Sequence, residues 1–220
     1  MKTSIILPSY VIDETVHGYL KQCLANLEAN TDRESYQLVI VDNGSVAGSE
    51  LMKSKADIYV RKEQPMGYAR AANLGLSLAD GDYLCILNND LFVPKDWLPN
   101  MIKDYESIPN AGTIAPMEGM PEKRLYHDSH WFSLVLFSRK VFTEIGYLDE
   151  SINYRFHDQD YSIRVKKAGY EVLRTGNVAV EHINSATYGK MKRNEDPVER
   201  DVMIKRYGHA HFEEWLRNNK

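Results

Sequence analysis

Three apolar runs in this 220-residue chain each end in side chains able to hold a phosphate, a ribose or a metal ion. Ser4-Ile5-Ile6-Leu7 leads into Pro8-Ser9-Tyr10, and Gln37-Leu38-Val39-Ile40-Val41 into Asp42-Asn43-Gly44-Ser45. Tyr83-Leu84-Cys85-Ile86-Leu87 leads into Asn88-Asn89-Asp90. A carboxylate in the place of Asp42 can accept hydrogen bonds from a base or a ribose. Asp90 can ligate a divalent cation held by a diphosphate. Arg70, on a helix that opens at Gly67 and carries Asn73, can neutralise that diphosphate. Singly, each has a plainer explanation. Asp42 to Ser45 is good turn chemistry, Asn88 to Asp90 would serve as a loop or cap, and Arg70 as a surface charge. Their convergence on one edge carries the functional reading.

That edge follows from the elements. Buried runs alternate with segments of helical spacing, such as Val16, Leu20, Cys23, Leu24 and Leu27 between Glu14 and Ala29. A helical piece begins at Leu51, a strand covers Ile58 to Val60, and a helix runs from Gly67 to Ala79 with Ala69, Ala71 and Ala72 on its surface. The order βαβαβαβ predicts an α/β fold with a mostly parallel central sheet flanked by helices. The carboxyl ends of its strands line a nucleotide-sized cleft. The first strand is expected to close at Pro8, which cannot donate to a ladder.

Further on, Trp97, Leu98, Met101, Ile102 and Tyr105 mark an amphipathic helix. Thr113 to Ala115 reads as a strand, Met117 to His130 as a loop, Trp131 to Ser138 as a strand and Arg139 to Ile145 as a helix. His157 to Asp160 is expected to precede the next helix, which Gly169 stops. Tyr170 to Leu173 and Val178 to Ile183 are expected as outer strands. Asp196-Pro197-Val198-Glu199 combines an N-cap, a first-turn proline and an acidic third position.

The formal net charge of −4 and a pI near 6.0 give no broad basic field for nucleic acid. Lys190-Met191-Lys192-Arg193 reads as a solvated loop. No apolar run is long enough to cross a bilayer, and the N-terminus lacks a signal-peptide pattern. The two cysteines, Cys23 and Cys85, sit in apolar patterns and are expected as buried thiols in a reducing, cytoplasmic compartment. The length suits one domain, with about residues 1–111 as its nucleotide-binding half and about 112–220 as its second half.

The strings Ile5 to Tyr10, Val39 to Ser45, Gly67-Tyr68-Ala69-Arg70-Ala71-Ala72-Asn73-Leu74-Gly75 and Asp80 to Asp90 resemble, in order, the family 2 inverting glycosyltransferases of the GT-A fold. Arg139 to Glu150, Phe156 to Arg164, Lys167 to Tyr170 and the stretch ending at His182 continue the likeness over nearly the whole chain. The resemblance implies sugar transfer from a nucleoside-diphosphate sugar, UDP or dTDP first, to a hydroxyl of a glycan or glycoconjugate. That acceptor need not be soluble: a lipid-linked one would put the enzyme at a membrane surface. Pro8, Tyr10, Asp42 and Asn43 would hold the nucleoside. Gly67, Arg70, Asn73, Asn88 and Asn89 would line the donor site. Asp90 and His182 would bind a divalent metal, Mn2+ or Mg2+, and Asp158 would be the general base.

The chain departs from the family pattern at two places. Asn88 stands at the first position of the Asp-x-Asp region, lowering the local negative charge. His157 stands where Glu commonly precedes the base, and it is expected to be neutral and to face solvent. Plainer roles remain open beside these: a helix N-cap for Asp158, a satisfied strand-end histidine for His182, a helix-dipole partner or acceptor contact for Asp160. Trp131 and Tyr126 would stack on a sugar or belong to the core beside Phe132. A nucleotidyltransferase would carry a Gly-rich loop where Pro8 to Val11 stands. A non-catalytic sugar-nucleotide or glycan-binding module is the other rival. The segments 117–129 and 184–196 have the length of lids.

Overall fold

The computed structural model describes residues 2–117, 125–127, 132–153, 155–183, 197–210 and 212. Its centre is an eight-stranded sheet whose spatial order is β3 (Ile58–Lys62), β2 (Tyr36–Asn43), β1 (Thr3–Ser9), β4 (Tyr83–Leu87), β8 (Leu134–Ser138), β6 (Ala111–Pro116), β9 (Glu171–Thr175) and β7 (Leu125–His127). The pairs β1–β2, β1–β4, β2–β3 and β6–β9 are parallel, whereas β8 runs antiparallel to both β4 and β6, and β7 to β9. A separate ribbon pairs β5 (Leu91–Phe92) with β10 (Glu181–His182). The predicted class, a mostly parallel sheet flanked by helices, is the one observed.

Strand alternation sends side chains to two faces. Ile5, Leu7, Leu38, Ile40, Cys85 and Leu87 pack with α1 (Glu14–Asn30), α2 (Ser49–Lys55) and α4 (Trp97–Glu106). Ile6, Leu84, Ile86, Val135, Phe137 and Val172 pack with α3 (Tyr68–Leu78), α5 (Arg139–Ile145) and α6 (His157–Lys167). A smaller cluster of Ile152, Ile163, Met203 and Phe212 seats α7 (Pro197–Tyr207). Cys23 and Cys85 are free, buried thiols, and burial pushes the Cys23 thiol up to about 12. No helix among the described residues is long and apolar enough to cross a membrane.

Several local expectations change. Pro8 lies inside β1, paired with Val41, beyond the last β1–β4 pair at Ile6 and Ile86. There its missing N–H breaks no ladder bond with β4. Ala69, Ala71 and Ala72 are fully buried instead of lying on the helix surface. Their small side chains let α3 sit close to the sheet, and a Cβ on Gly75 would meet Ile6 at 2.3 Å. The expected loop from Met117 holds a short strand, β7. The strand β9 is interior, between β6 and β7, because the short strand β7 pairs along its outer edge, and β10 leaves the main sheet for β5. Helix α6 begins at His157, earlier than expected. Trp131, Asp196, the Lys190 to Arg193 run, the Tyr126 side chain and most of segments 117–129 and 184–196 lie outside the described residues.

Candidate active site

At the carboxyl end of the sheet, strand register lines up Ser9, Asp42 and Arg61 on neighbouring strands. Asp42 is fully buried and densely satisfied. Its Oδ1 accepts the Ser45 N–H at 3.0 Å, so the turn role is realised. Its Oδ2 accepts Ser49 Oγ at 2.7 Å, Tyr59 OH at 2.8 Å and Arg61 Nη1 at 2.6 Å. Burial alone would raise this carboxyl. Hydrogen bonds from Ser49, Ser45 and Tyr59 outweigh it and hold Asp42 below the usual carboxylate range. Asn43 accepts the Met66 N–H at 2.8 Å and donates to Gly67 O at 3.3 Å, tying the end of β2 to the start of α3. Gly67 has φ 92°, and a Cβ there would lie 1.8 Å from Asn153 Nδ2. Only glycine fits that crossing.

At the end of β4, Asn89 Nδ2 donates to Ser9 Oγ at 2.9 Å, and Asn88 Oδ1 accepts Tyr68 OH at 3.1 Å. The β5–β10 ribbon then brings His182 Nε2 to 3.1 Å from Asp90 Oδ1, across 92 residues of chain. Asp90 is nearly buried, and Ile183 N–H donates to its carbonyl at 3.0 Å. Among the described residues no group of three or more His, Cys, Asp or Glu gathers around one point. A carboxylate and an imidazole with an amide neighbour fit an ion that completes its shell with water and diphosphate oxygens. They do not make an all-protein cage.

The third corner is the start of α6. Phe156, its N-cap, sits at φ 62°, a left-handed conformation unusual for an aromatic residue. Asp158 is therefore not the N-cap: it lies in the first turn, 8% exposed. Its Oδ1 accepts the Gln159 N–H at 3.0 Å. Burial pushes it up to about 7, against the lowering effect of the Gln159 N–H and its own. His157 stacks on Tyr68, ring centroids 4.7 Å apart, with the Phe132 ring edge-on at 6.4 Å. It is neutral as expected, held down to about 4 by burial with Asp160 opposing, but its Nδ1 is sealed from solvent. No hydrogen bond joins it to Asp158 among the described residues. Asp160 is fully buried and accepts Arg164 Nε at 2.8 Å, Arg206 Nη1 at 2.6 Å and Tyr207 OH at 2.6 Å. It is a helix-docking node, neither a dipole partner alone nor an exposed contact.

Arg70 and Asn73 both turn toward the segment after α5. Asn73 Nδ2 donates to Leu148 O at 2.9 Å and Glu150 Oε1 at 3.1 Å, and its Oδ1 accepts the Leu148 N–H at 2.9 Å. Arg70 is half-exposed and lies 3.6 Å from Glu150. With Lys62, Met66 and Tyr147 they line a groove of about 530 Å³. Tyr10 follows β1, partly buried.

Sequence reasoning passed over Tyr68, which stands between the carboxylates. Burial raises its phenol, and the charges of Asp158 and Asp90 raise it further; its hydroxyl also donates to Phe132 O at 2.8 Å. An aromatic residue directly after Gly67 was the available signal. Arg61 was also missed, and nothing but its register with Asp42 marks it. Among the described residues the buried atoms Asn153 Oδ1, His157 Nδ1 and Gln159 Oε1 have no hydrogen-bond partner.

The family model described as glycosyl transferase family 2 matches residues 4–168. The uncharacterised glycosyltransferase YfnE of Bacillus subtilis (strain 168) is 31% identical over 131 residues, 57% of this chain and 31% of its own. The mannosyltransferase PcManGT from Pyrobaculum calidifontis, solved with GDP-Man and Mn2+, superposes with TM-score 0.71 at 19% identity, covering 98% of this chain and 64% of its own. GalNAc-T7, solved with UDP, GalNAc and Mn2+, gives TM-score 0.69 at 14% identity, covering 83% and 44%. The chain spans between 20% and 35% of the length of the curated relatives it matches. With the GT-A fold in place and the family match covering most of its length, the chain belongs to glycosyl transferase family 2.

Proposed function

We propose that the chain is an inverting glycosyltransferase that moves a sugar from a nucleoside-diphosphate sugar to a hydroxyl of a glycan or glycoconjugate. The observation that carries this is Asp158, a buried carboxylate whose donors among the described residues are backbone N–H groups alone and whose pKa is raised to about 7. A general base works best when its pKa lies near the working pH. Asp158 accepts the acceptor hydroxyl's proton as that oxygen attacks the anomeric carbon on the face opposite the leaving diphosphate. Tyr68, stacked on neutral His157, lies within reach of the base's charge.

Tyr10 and the Asp42–Asn43 corner contact the nucleoside. Asp42 is satisfied within the protein, so it acts by setting the corner's shape and fixing Arg61. Arg70 meets the donor from the α3 side. Asp90 and His182 would hold a divalent cation, Mn2+ or Mg2+, which when bound offsets charge on the leaving diphosphate. The neighbours solved with Mn2+ and a nucleotide support a divalent cation beside the donor. UDP and dTDP donors fit the family resemblance, and the neighbour with GDP-Man keeps GDP in the panel. Residues from about 112 onward form the acceptor half. A reducing cytoplasm, where Cys23 and Cys85 stay thiols, suits the reading.

A thermal-shift panel of UDP, dTDP, GDP and their glucose conjugates, with and without Mn2+, tests the donor site. One nucleoside diphosphate is expected to raise Tm in a metal-dependent way, since a ligand that binds only the native state stabilises it. Asp90→Ala is expected to weaken that binding at least about tenfold with metal present, a loss of roughly 1.4 kcal/mol. No shift with any nucleotide would overturn the reading, and unchanged affinity in Asp90→Ala would remove that residue from the site.

A further inference from the structure

Helix α7 lies beyond the residues 4–168 that the family model matches, yet its polar side chains reach both flanks of the candidate base. Glu199 is 4% exposed. Its Oε1 accepts the Asn153 N–H at 2.8 Å and its Oε2 the Arg155 N–H at 2.8 Å. One carboxylate thus holds two main-chain donors of the loop that enters α6. Two turns further along α7, Arg206 Nη1 and Tyr207 OH each meet Asp160 Oδ1 at 2.6 Å, two residues past the base. Arg206 Nη2 also lies 2.5 Å from Asp149 Oδ2. Met203 sits between these grips on the same helical stripe and packs on Ile152 and Ile163. Between them lies Phe156 at φ 62°, a backbone state that persists only where the surroundings over-determine it. Apolar packing alone would dock α7. A buried carboxylate spread over two N–H groups of a single loop also fixes that loop's direction.

We propose that α7 is a positioning element for catalysis, in which Glu199, Arg206 and Tyr207 hold the Phe156 turn and so aim the Asp158 carboxylate. The inference rests on Asp158 being the base. None of the three need touch substrate. Loss of the Glu199 clamp lets the turn relax and water reach Asp158, whose titratable neighbours are His157 on its own helix and Tyr68 of α3.

The test uses the full chain carrying Glu199→Gln or Tyr207→Phe. Asp158 is titrated by carboxyl 13C NMR, with Asp158→Asn assigning its resonance. In parallel, kcat and donor affinity are measured with the UDP-, dTDP- or GDP-glucose that gives the largest thermal shift. Glu199→Gln is expected to lower kcat about tenfold with donor affinity kept within about twofold. The Asp158 titration and the acid limb of the rate are expected to move down together toward the ordinary carboxylate range. Tyr207→Phe acts in the same direction and less, and it carries the test if Glu199→Gln does not fold. A lower Tm with kcat per folded molecule and the Asp158 titration unchanged would reduce α7 to a docking helix and overturn the inference. Transfer surviving in Asp158→Asn would overturn the base assignment and the inference together. An inactive Asp158→Asn beside fully active α7 variants would overturn the inference alone.

Discussion

Two buried aspartates belong to this candidate site, and their surroundings differ in kind. Asp42 is ringed by two serines, a tyrosine and an arginine, which hold its charge in place. Asp158 is also buried, at 8% exposed, but among the described residues its donors are only N–H groups of its own first turn. Burial disfavours charge in both. In Asp42 the hydrogen bonds win and the carboxyl is held down; in Asp158 desolvation wins and it rises to about 7. A carboxylate already engaged by four donors is architecture. An under-satisfied one is available for a proton.

The contrast breaks most visibly in activity. Asp158→Asn is expected to lower transfer by roughly a thousandfold or more while donor binding stays nearly intact, since an amide cannot take the proton. A turnover assay beside calorimetric titration of the nucleoside diphosphate separates the two effects. Asp42→Asn should act first on the fold. Replacing a buried, multiply bonded carboxylate by an amide is expected to cost about 2–3 kcal/mol in urea denaturation. A fully stable Asp42→Asn chain would show that its ring of donors is dispensable.

Acidity sharpens the same comparison with opposite signs. The folded state binds the Asp158 proton more tightly than the unfolded chain, whose carboxyl titrates near about 3.9. Stability therefore falls as pH rises from there to about 7 and is level above. Asp158→Asn is accordingly expected to be more stable than wild type at neutral pH, by on the order of 1–3 kcal/mol. Asp42 contributes stability above its unfolded pKa, and that contribution is lost as pH falls through its depressed folded value. With Asp158 in the proposed role of base, transfer is expected to rise with pH through about 7. Urea melts of both variants at pH 4 to 8, with a rate profile of wild type, check all three signs.

Much of the site was legible because sheet geometry turns a one-dimensional pattern into an edge. Apolar runs ending at Pro8, Asp42 and Asn88 had to deliver polar residues to the same side of parallel strands, and they do. The conjunction of Asp90 with His182 was implied by resemblance alone, since the ribbon that joins them pairs only two residues per strand. Other details were hidden. Glu199 reads in sequence as an ordinary acidic residue in a helix's first turn; only the docking of α7 turns it onto the Asn153 and Arg155 amides. His157 reads as a polar surface position, and the Tyr68 ring buries it.

By itself the sequence determined the layered α/β architecture and the residue types at its functional edge, because strand and helix periodicities and strand-end chemistry are local properties. Tertiary structure decided which carboxylate is ringed by side-chain donors and which is left to desolvation. That difference depends on donors from distant elements, Tyr59 and Arg61 of β3 for Asp42 and, among the described residues, none comparable for Asp158. Desolvation and hydrogen bonding act through space, so the chemical character of identical side chains is set by where the fold places their neighbours.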